Sequence, residues 1–277
     1  MPELTTPPPA PQVALIGFGE AGERFARAGD WAGHTRGWDI SPERRALMAR
    51  FGIETGDTPE QALQGVGVAI SLVTADAALL AAQQYAALLP PGALWCDMNS
   101  VSPDTKRAAA EVVEAAGGRY VDVAVMAPVD AELAVPLLIA GPYATPAHEM
   151  LGQIGFSNMR VAGDTVGKAS AIKMIRSVMV KGIEALSYEC SEAAMAAGVY
   201  DDVTASLDAS DVHKSWAERF AYNRERMEKH GLRRAAEMEE SAKTLQGLGI
   251  EPVMTRSTVQ LQREVGTNSR TREKTSA

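Results

Sequence analysis

Positive charge is in short supply in this 277-residue chain: 27 lysines and arginines stand against 35 aspartates and glutamates, a net charge of −8. No basic block or aromatic-basic alternation offsets that balance, and aromatic residues make up only 5% of the chain. Nucleic acid and anionic membrane surfaces are therefore disfavoured as partners, and a small molecule is expected instead. Cysteine is nearly absent. Cys96 and Cys190 sit in apolar contexts without metal-ligand spacing, as buried thiols in a reducing compartment would. No run approaches the eighteen or more apolar residues of a membrane span, and no basic segment leads into an apolar core at the N-terminus. These absences predict a soluble, cytoplasmic protein.

What is present is a globular composition, 46% apolar and 22% charged, at a length that predicts two domains. The proline-rich start predicts a disordered extension over 1–11, and the polar end a disordered tail over 268–277. From 12 to 164, the strand-like runs QVALIG, TRGWDI, VAISLV, ALWCDM, RYVDVAV and PLLIAG alternate with helical stretches such as GERFARAG, PERRALMARF and PDTKRAAAEVVEAAG. That alternation predicts an α/β fold, a doubly wound, mostly parallel sheet with helices on both faces. From 165 to 267 the strands disappear. Ile172, Ile175, Val178, Met179, Ile183 and Leu186 follow the helical period up to Gly198, and WAERFAYNRERMEKHG and LRRAAEMEESAKTLQGLG continue as helices. An all-α domain joined through a long interdomain helix is expected.

The stretch VALIGFGEAG carries Gly17, Gly19 and Gly22 in G-x-G-x-x-G spacing, after an apolar strand and before a helix. A bare match fits a glycine turn without a ligand as well as one with it. In this context Gly17 permits the tight turn, Gly19 lets the backbone approach a pyrophosphate and Gly22 lets helix pack on strand. Phe18, Glu20 and Ala21 complete the expected cradle of a Rossmann-type domain. Asp39, roughly 20 positions on, is placed to bind the adenine ribose hydroxyls and to repel a 2′-phosphate, which favours NAD over NADP. Its alternative role is to cap the turn at Ser41 and Pro42, and Arg44 and Arg45 complicate the preference. Val73 and Thr74 end one strand and Asn99 and Ser100 follow another, where open α/β sheets place ligands. Ordinary turn chemistry is the other explanation for Asn99 and Ser100.

The ordered series GFGEAG, SLVTADAAL, CDMNSVSP, DVAVMAPV and GKASAIKMIRS resembles the β-hydroxyacid dehydrogenases, the group of 3-hydroxyisobutyrate and 6-phosphogluconate dehydrogenases. KGIEALSYE and HGLRRAAEM resemble the branch with a phosphogluconate dehydrogenase-type C-terminal domain. The resemblance implies NAD(P)-dependent hydride transfer on a hydroxy or oxo acid, with Lys173 as general acid/base and a homodimer formed through the helical domain. It also implies Ser177 in place of the family's asparagine, one turn beyond the lysine, and Asp122 at the substrate site. Where the family has a Ser-Gly-Gly carboxylate site, this chain has Met126, Ala127 and Pro128. His230 and Arg234, taken as opening a helix, are candidates to hold the substrate anion instead. The family's Lys-Asp pair falls at Ala236 and Glu237. Two alternatives stand beside this one: an imine reductase or reductive aminase, and a non-catalytic NAD-binding protein.

Overall fold

A computed structural model describes residues 12–29, 31–196, 198–209, 215–247 and 251–275, so that the extension expected over 1–11 and the side chain of Cys190 lie outside it. The chain divides into two compact units, Met1–Lys173 and Met174–Ala277.

The first unit opens with β1 (Val13–Ile16), α1 (Glu20–Ala28), β2 (Thr35–Trp38), α2 (Pro42–Arg50), β3 (Glu54–Thr55) and α3 (Pro59–Leu63). There follow β4 (Val68–Ser71), α4 (Ala78–Tyr85), β5 (Leu94–Asp97), α5 (Pro103–Ala115) and β6 (Arg119–Val125), then β7 (Leu137–Ala140), α6 (Ala144–Gln153) and β8 (Met159–Gly163). They form one sheet in the order β3-β2-β1-β4-β5-β6-β7-β8, parallel except between β6 and β7. Its first six strands follow the 3-2-1-4-5-6 order of a doubly wound sheet, whose direction of winding reverses between β1 and β4. Ligands of such sheets bind outside the carboxyl ends of those two strands.

The central strands are apolar along their whole length because both faces are covered. Val13 and Leu15 pack with Phe25, Val68 and Ile70 on one face, while Ala14 and Ile16 pack with Ala69, Trp95 and Tyr120 on the other. Ser41 caps α2 by accepting the Arg44 N–H, and Ser102 caps α5 by accepting the Thr105 N–H, with Pro42 and Pro103 in the first helical positions. No side chain caps α1, whose N-cap is Gly19.

The second unit is helical. α7 (Lys168–Ala196) enters it, followed by α8 (Tyr200–Asp208), α9 (Trp216–Gly247) and α10 (Val253–Thr275). Two expectations are corrected here. The segment around His230 and Arg234 does not open a helix, because α9 is one helix running through Gly231. The reason is a close crossing: a Cβ on Gly231 would lie 2.9 Å from the Gly266 nitrogen, and one on Gly266 would lie 2.7 Å from that of Leu232. Gly231 is thus a contact residue rather than a stop. The tail expected to be disordered from Asn268 is helical as far as Thr275.

Candidate functional site

Each glycine of the turn meets a different physical demand. Gly17 has φ +87°, and a Cβ there would sit 2.8 Å from the Leu72 carbonyl oxygen and 2.9 Å from the Val73 side chain. At Gly22 a Cβ would meet the Phe18 ring at 3.0 Å and the Gly17 carbonyl oxygen at 3.3 Å. At Gly19 nothing lies within 4 Å. Gly17 and Gly22 are thus required by the fold itself, whereas Gly19 leaves open space at the start of α1. That end carries a partial positive charge and N–H groups without a side-chain acceptor, which is the donor set a pyrophosphate takes.

The Phe18 ring is fully buried, and its N–H donates to Asp39 Oδ2 at 2.8 Å. Asp39 Oδ1 accepts the Ser41 N–H at 2.8 Å, so the residue pins the glycine turn and the following turn together. Each oxygen keeps a further lone pair for a ribose hydroxyl. Arg45 lies 4.7 Å over the Trp38 ring and donates to the Asp39 carbonyl at 2.6 Å. Glu20 is exposed and Ala21 half-buried at the start of α1. Half-buried Val73 packs on Gly17, and exposed Thr74 precedes a short 3-10 turn.

Beyond β5, the Asn99 amide nitrogen donates to Ser71 Oγ and its backbone N–H to Asp97 Oδ1, both at 2.9 Å. Asn99 Oδ1 is buried without a partner, an acceptor suited to a ligand hydroxyl. Beside it, Lys173 Nζ, three residues beyond Ser170 on α7, donates to Ser100 Oγ. Lys173 is half-buried.

Asp122, expected at the substrate site, anchors the start of α7. It is fully buried, and its Oδ2 accepts the N–H groups of Gly167 and Ser170, each at 3.1 Å, together with the Ser170 hydroxyl at 3.3 Å. It caps the start of α7. Burial pushes its carboxyl above the ordinary range, against the pull of the Lys106 ammonium. Lys106 Nζ lies 3.0 Å from Asp97 Oδ1 and 3.7 Å from Asp122 Oδ1 with no exposed surface, and the Tyr120 hydroxyl donates to Asp97 Oδ2 at 2.7 Å. Sequence reasoning missed this cluster. Its one signal is spacing, since Lys106 shares the buried face of α5 with Ala109, Ala110 and Val113. Met126, expected at the substrate, is partly buried and packs against the cluster of Ala124, Leu138, Ala140 and Ala169. Cys96 is fully buried, which pushes its thiol up to about 12.

In the second unit Arg234 is 3% exposed and paired with Glu184, to which Arg226 adds a contact at 3.6 Å. Its counter-charge is internal, supplied by Glu184. Lys181 pairs with Glu237, which Arg233 also reaches at 2.5 Å. Burial pushes the Lys181 ammonium down and the Glu184 carboxyl up, each against the pull of its partner. His230 is half-buried in mid-helix and Ser177 is buried. Among the described residues no cluster of His, Cys, Asp or Glu fits a metal ion, and no helix is long and apolar enough to cross a membrane.

Comparison with known proteins places two family models on the chain. The NAD binding domain of 6-phosphogluconate dehydrogenase matches residues 12–144, and a domain of unknown function matches 194–265. A conserved hypothetical protein from Sinorhizobium meliloti 1021 is 33% identical, with 93% of this chain and 89% of that one covered and a TM-score of 0.71. The conserved protein MTH1747, described as structurally similar to 3-hydroxyacid dehydrogenases, is 28% identical over 93% of this chain and 97% of its own, with a TM-score of 0.70. The 3-hydroxyisobutyrate dehydrogenase of Mycobacterium tuberculosis, 16% identical, shares the fold at a TM-score of 0.74 over 94% of each chain.

Proposed function

The chain belongs to the β-hydroxyacid dehydrogenase family, and on that premise we propose that it transfers hydride reversibly between NAD and a small hydroxy acid. The observation that carries this reading is Lys173 donating to Ser100 at the carboxyl edge of β5, a lysine held where a substrate hydroxyl would be bound. The nicotinamide, when bound, accepts the hydride. Lys173 as the neutral amine takes the proton from the alcohol oxygen, and as the ammonium so formed returns it in the reverse direction. Ser100 orients the ammonium, and Asn99 Oδ1 accepts from a hydroxyl of the substrate or of the nicotinamide ribose. Ser177, one turn beyond Lys173 on α7, is the further polar group assigned to the substrate.

Gly19 and the uncapped start of α1 would hold the cofactor's pyrophosphate, and Asp39 its adenine ribose. The carboxylate disfavours a 2′-phosphate there, and Arg45, already bound over Trp38, does not offset it. The helical unit dimerises through α7, where Ile175, Met179, Ile183 and Leu186 are 48%, 66%, 42% and 51% exposed in one stripe.

A second reading, reduction of C=N bonds, is favoured by one observation: Ala127 and Pro128 offer no side-chain donor where the family binds its carboxylate. The test is NADH consumption by the full chain with a panel of oxo acids against cyclic imines. Turnover of the acids is expected. Turnover of imines alone would replace the first reading by the second, and bound NADH unconsumed by either panel would overturn both.

A further inference from the structure

At the opposite end of the sheet from the glycine turn, the first unit contains a cavity of about 510 Å³, a size usual for small-molecule sites. It sits where β1 and β2 begin, at the paired residues Val13 and Thr35, and Trp31, Leu133 and Ile154 give it apolar walls. Trp31 is fixed there by its indole N–H, which donates to the Ile154 carbonyl at 2.8 Å.

Two features of the lining are costly to the fold without a compensating contact. Thr35 is 2% exposed, and its hydroxyl has no hydrogen-bond partner. Glu132 has φ +50° and ψ −126°, and is the one residue other than glycine with positive φ among those described. Both line the cavity. The charge of the lining is one-sided. Glu132 supplies a carboxylate, Gln153 and Ser157 supply neutral polar groups, and no lysine or arginine is present among the described residues around it. A phosphate or carboxylate has no lysine or arginine to pair with there, whereas an ammonium finds an acceptor in Glu132 and another in the Thr35 hydroxyl.

We propose that this cavity is a second ligand site, distinct from the dinucleotide site, for a compact organic ammonium compound whose apolar body packs against Trp31, Leu133 and Ile154. The ammonium donates to the Glu132 carboxylate and to Thr35 Oγ1, and the backbone of Glu132 is held out of its preferred region to present that carboxylate. The proposal stands apart from the hydride-transfer reading, since none of its residues belongs to the glycine turn or to the β5 edge.

The experiment is a titration of the full chain, labelled at its tryptophan indoles, with cyclohexylammonium, cyclohexanol and cyclohexanecarboxylate, following the Trp31 signal assigned through Trp31→Phe. Cyclohexylammonium is expected to shift that signal saturably at millimolar concentration, a fragment-grade affinity, with the other two probes leaving it in place. Glu132→Gln is expected to weaken the response by about tenfold or more, and Thr35→Val to weaken it further. Glu132→Gly is expected to raise the melting temperature while abolishing the response, which separates a backbone held for a ligand from one needed by the fold. Absence of a saturable shift with the amine would overturn the proposal. So would an equal response to the alcohol or the carboxylate, or a response unchanged in both Glu132→Gln and Thr35→Val.

Discussion

Lys173, three residues beyond Ser170 on α7, donates its ammonium proton to the hydroxyl of Ser100, which follows β5. A helix and a strand edge far apart in sequence thereby place one lysine at the end of the sheet where ligands bind. Removing the amine with Lys173→Ala is expected to lower kcat by about 100-fold or more while the NADH dissociation constant stays within about twofold. Ser100→Ala, which leaves the lysine in place but unguided, is expected to lose less activity and to shift the pH profile of kcat. Steady-state kinetics with direct cofactor titration reads both, and near-normal turnover in Lys173→Ala would remove the lysine from the mechanism.

Gly17 and Gly19 are expected to fail in different ways. Gly17→Ala places a methyl against the Leu72 carbonyl at positive φ, and should cost at least about 1 to 3 kcal/mol of stability. Gly19→Ala has free space around it, so its melting temperature should be nearly unchanged while its affinity for NADH falls by about tenfold or more. Thermal denaturation and cofactor titration of the same two variants separate the effects.

For Asp39, the charge can be removed with the shape retained. Asp39→Asn keeps an acceptor for one of the two backbone N–H groups the carboxylate now holds, from Phe18 and Ser41. The ratio of NADPH to NADH dissociation constants is expected to fall by about tenfold or more. A wild-type preference for NADPH would refute the assignment of NAD.

Lys106 neutralises two buried carboxylates, so Lys106→Met should be among the most damaging single changes in the first unit. Leaving Asp97 and Asp122 without their cation is expected to cost about 3 to 5 kcal/mol, read by chemical denaturation. A loss below about 1 kcal/mol would mean that the cluster contributes little.

The exposed stripe on α7 gives a test of assembly. Met179→Glu together with Leu186→Glu puts two charges into that stripe, and sedimentation should then show a monomer where the wild type is a dimer, with helical content retained. A wild-type monomer would refute the dimer.

The parts of the fold legible in the sequence are those whose side chains report their surroundings locally. β1, β4 and β5 are buried on both faces and appear as unbroken apolar runs, and the glycine turn carries its own spacing. β3 has two residues, and β8 carries exposed positions including Arg160, so neither shows an apolar run or a clean alternation. Gly231 looked like a helix end because only the backbone of α10 explains it, and that lies on another segment. The same holds for charge. The partners of Arg234 and Asp122, Glu184 for the first and Lys106 with the start of α7 for the second, are remote in sequence and leave no local mark. Lys173 enters the sequence reading only through the family resemblance of GKASAIKMIRS.

Asp122 acts as a bracket. By tying β6 to the backbone of Gly167 and Ser170, it hangs the start of α7 from the sheet and so sets the height at which Lys173 leaves the helix. The aspartate is therefore a mark of how the lysine is mounted in this chain. Substrate preference has to be sought in the residues that the bracket leaves free to vary, with Met126, Ala127 and Pro128 the first of them.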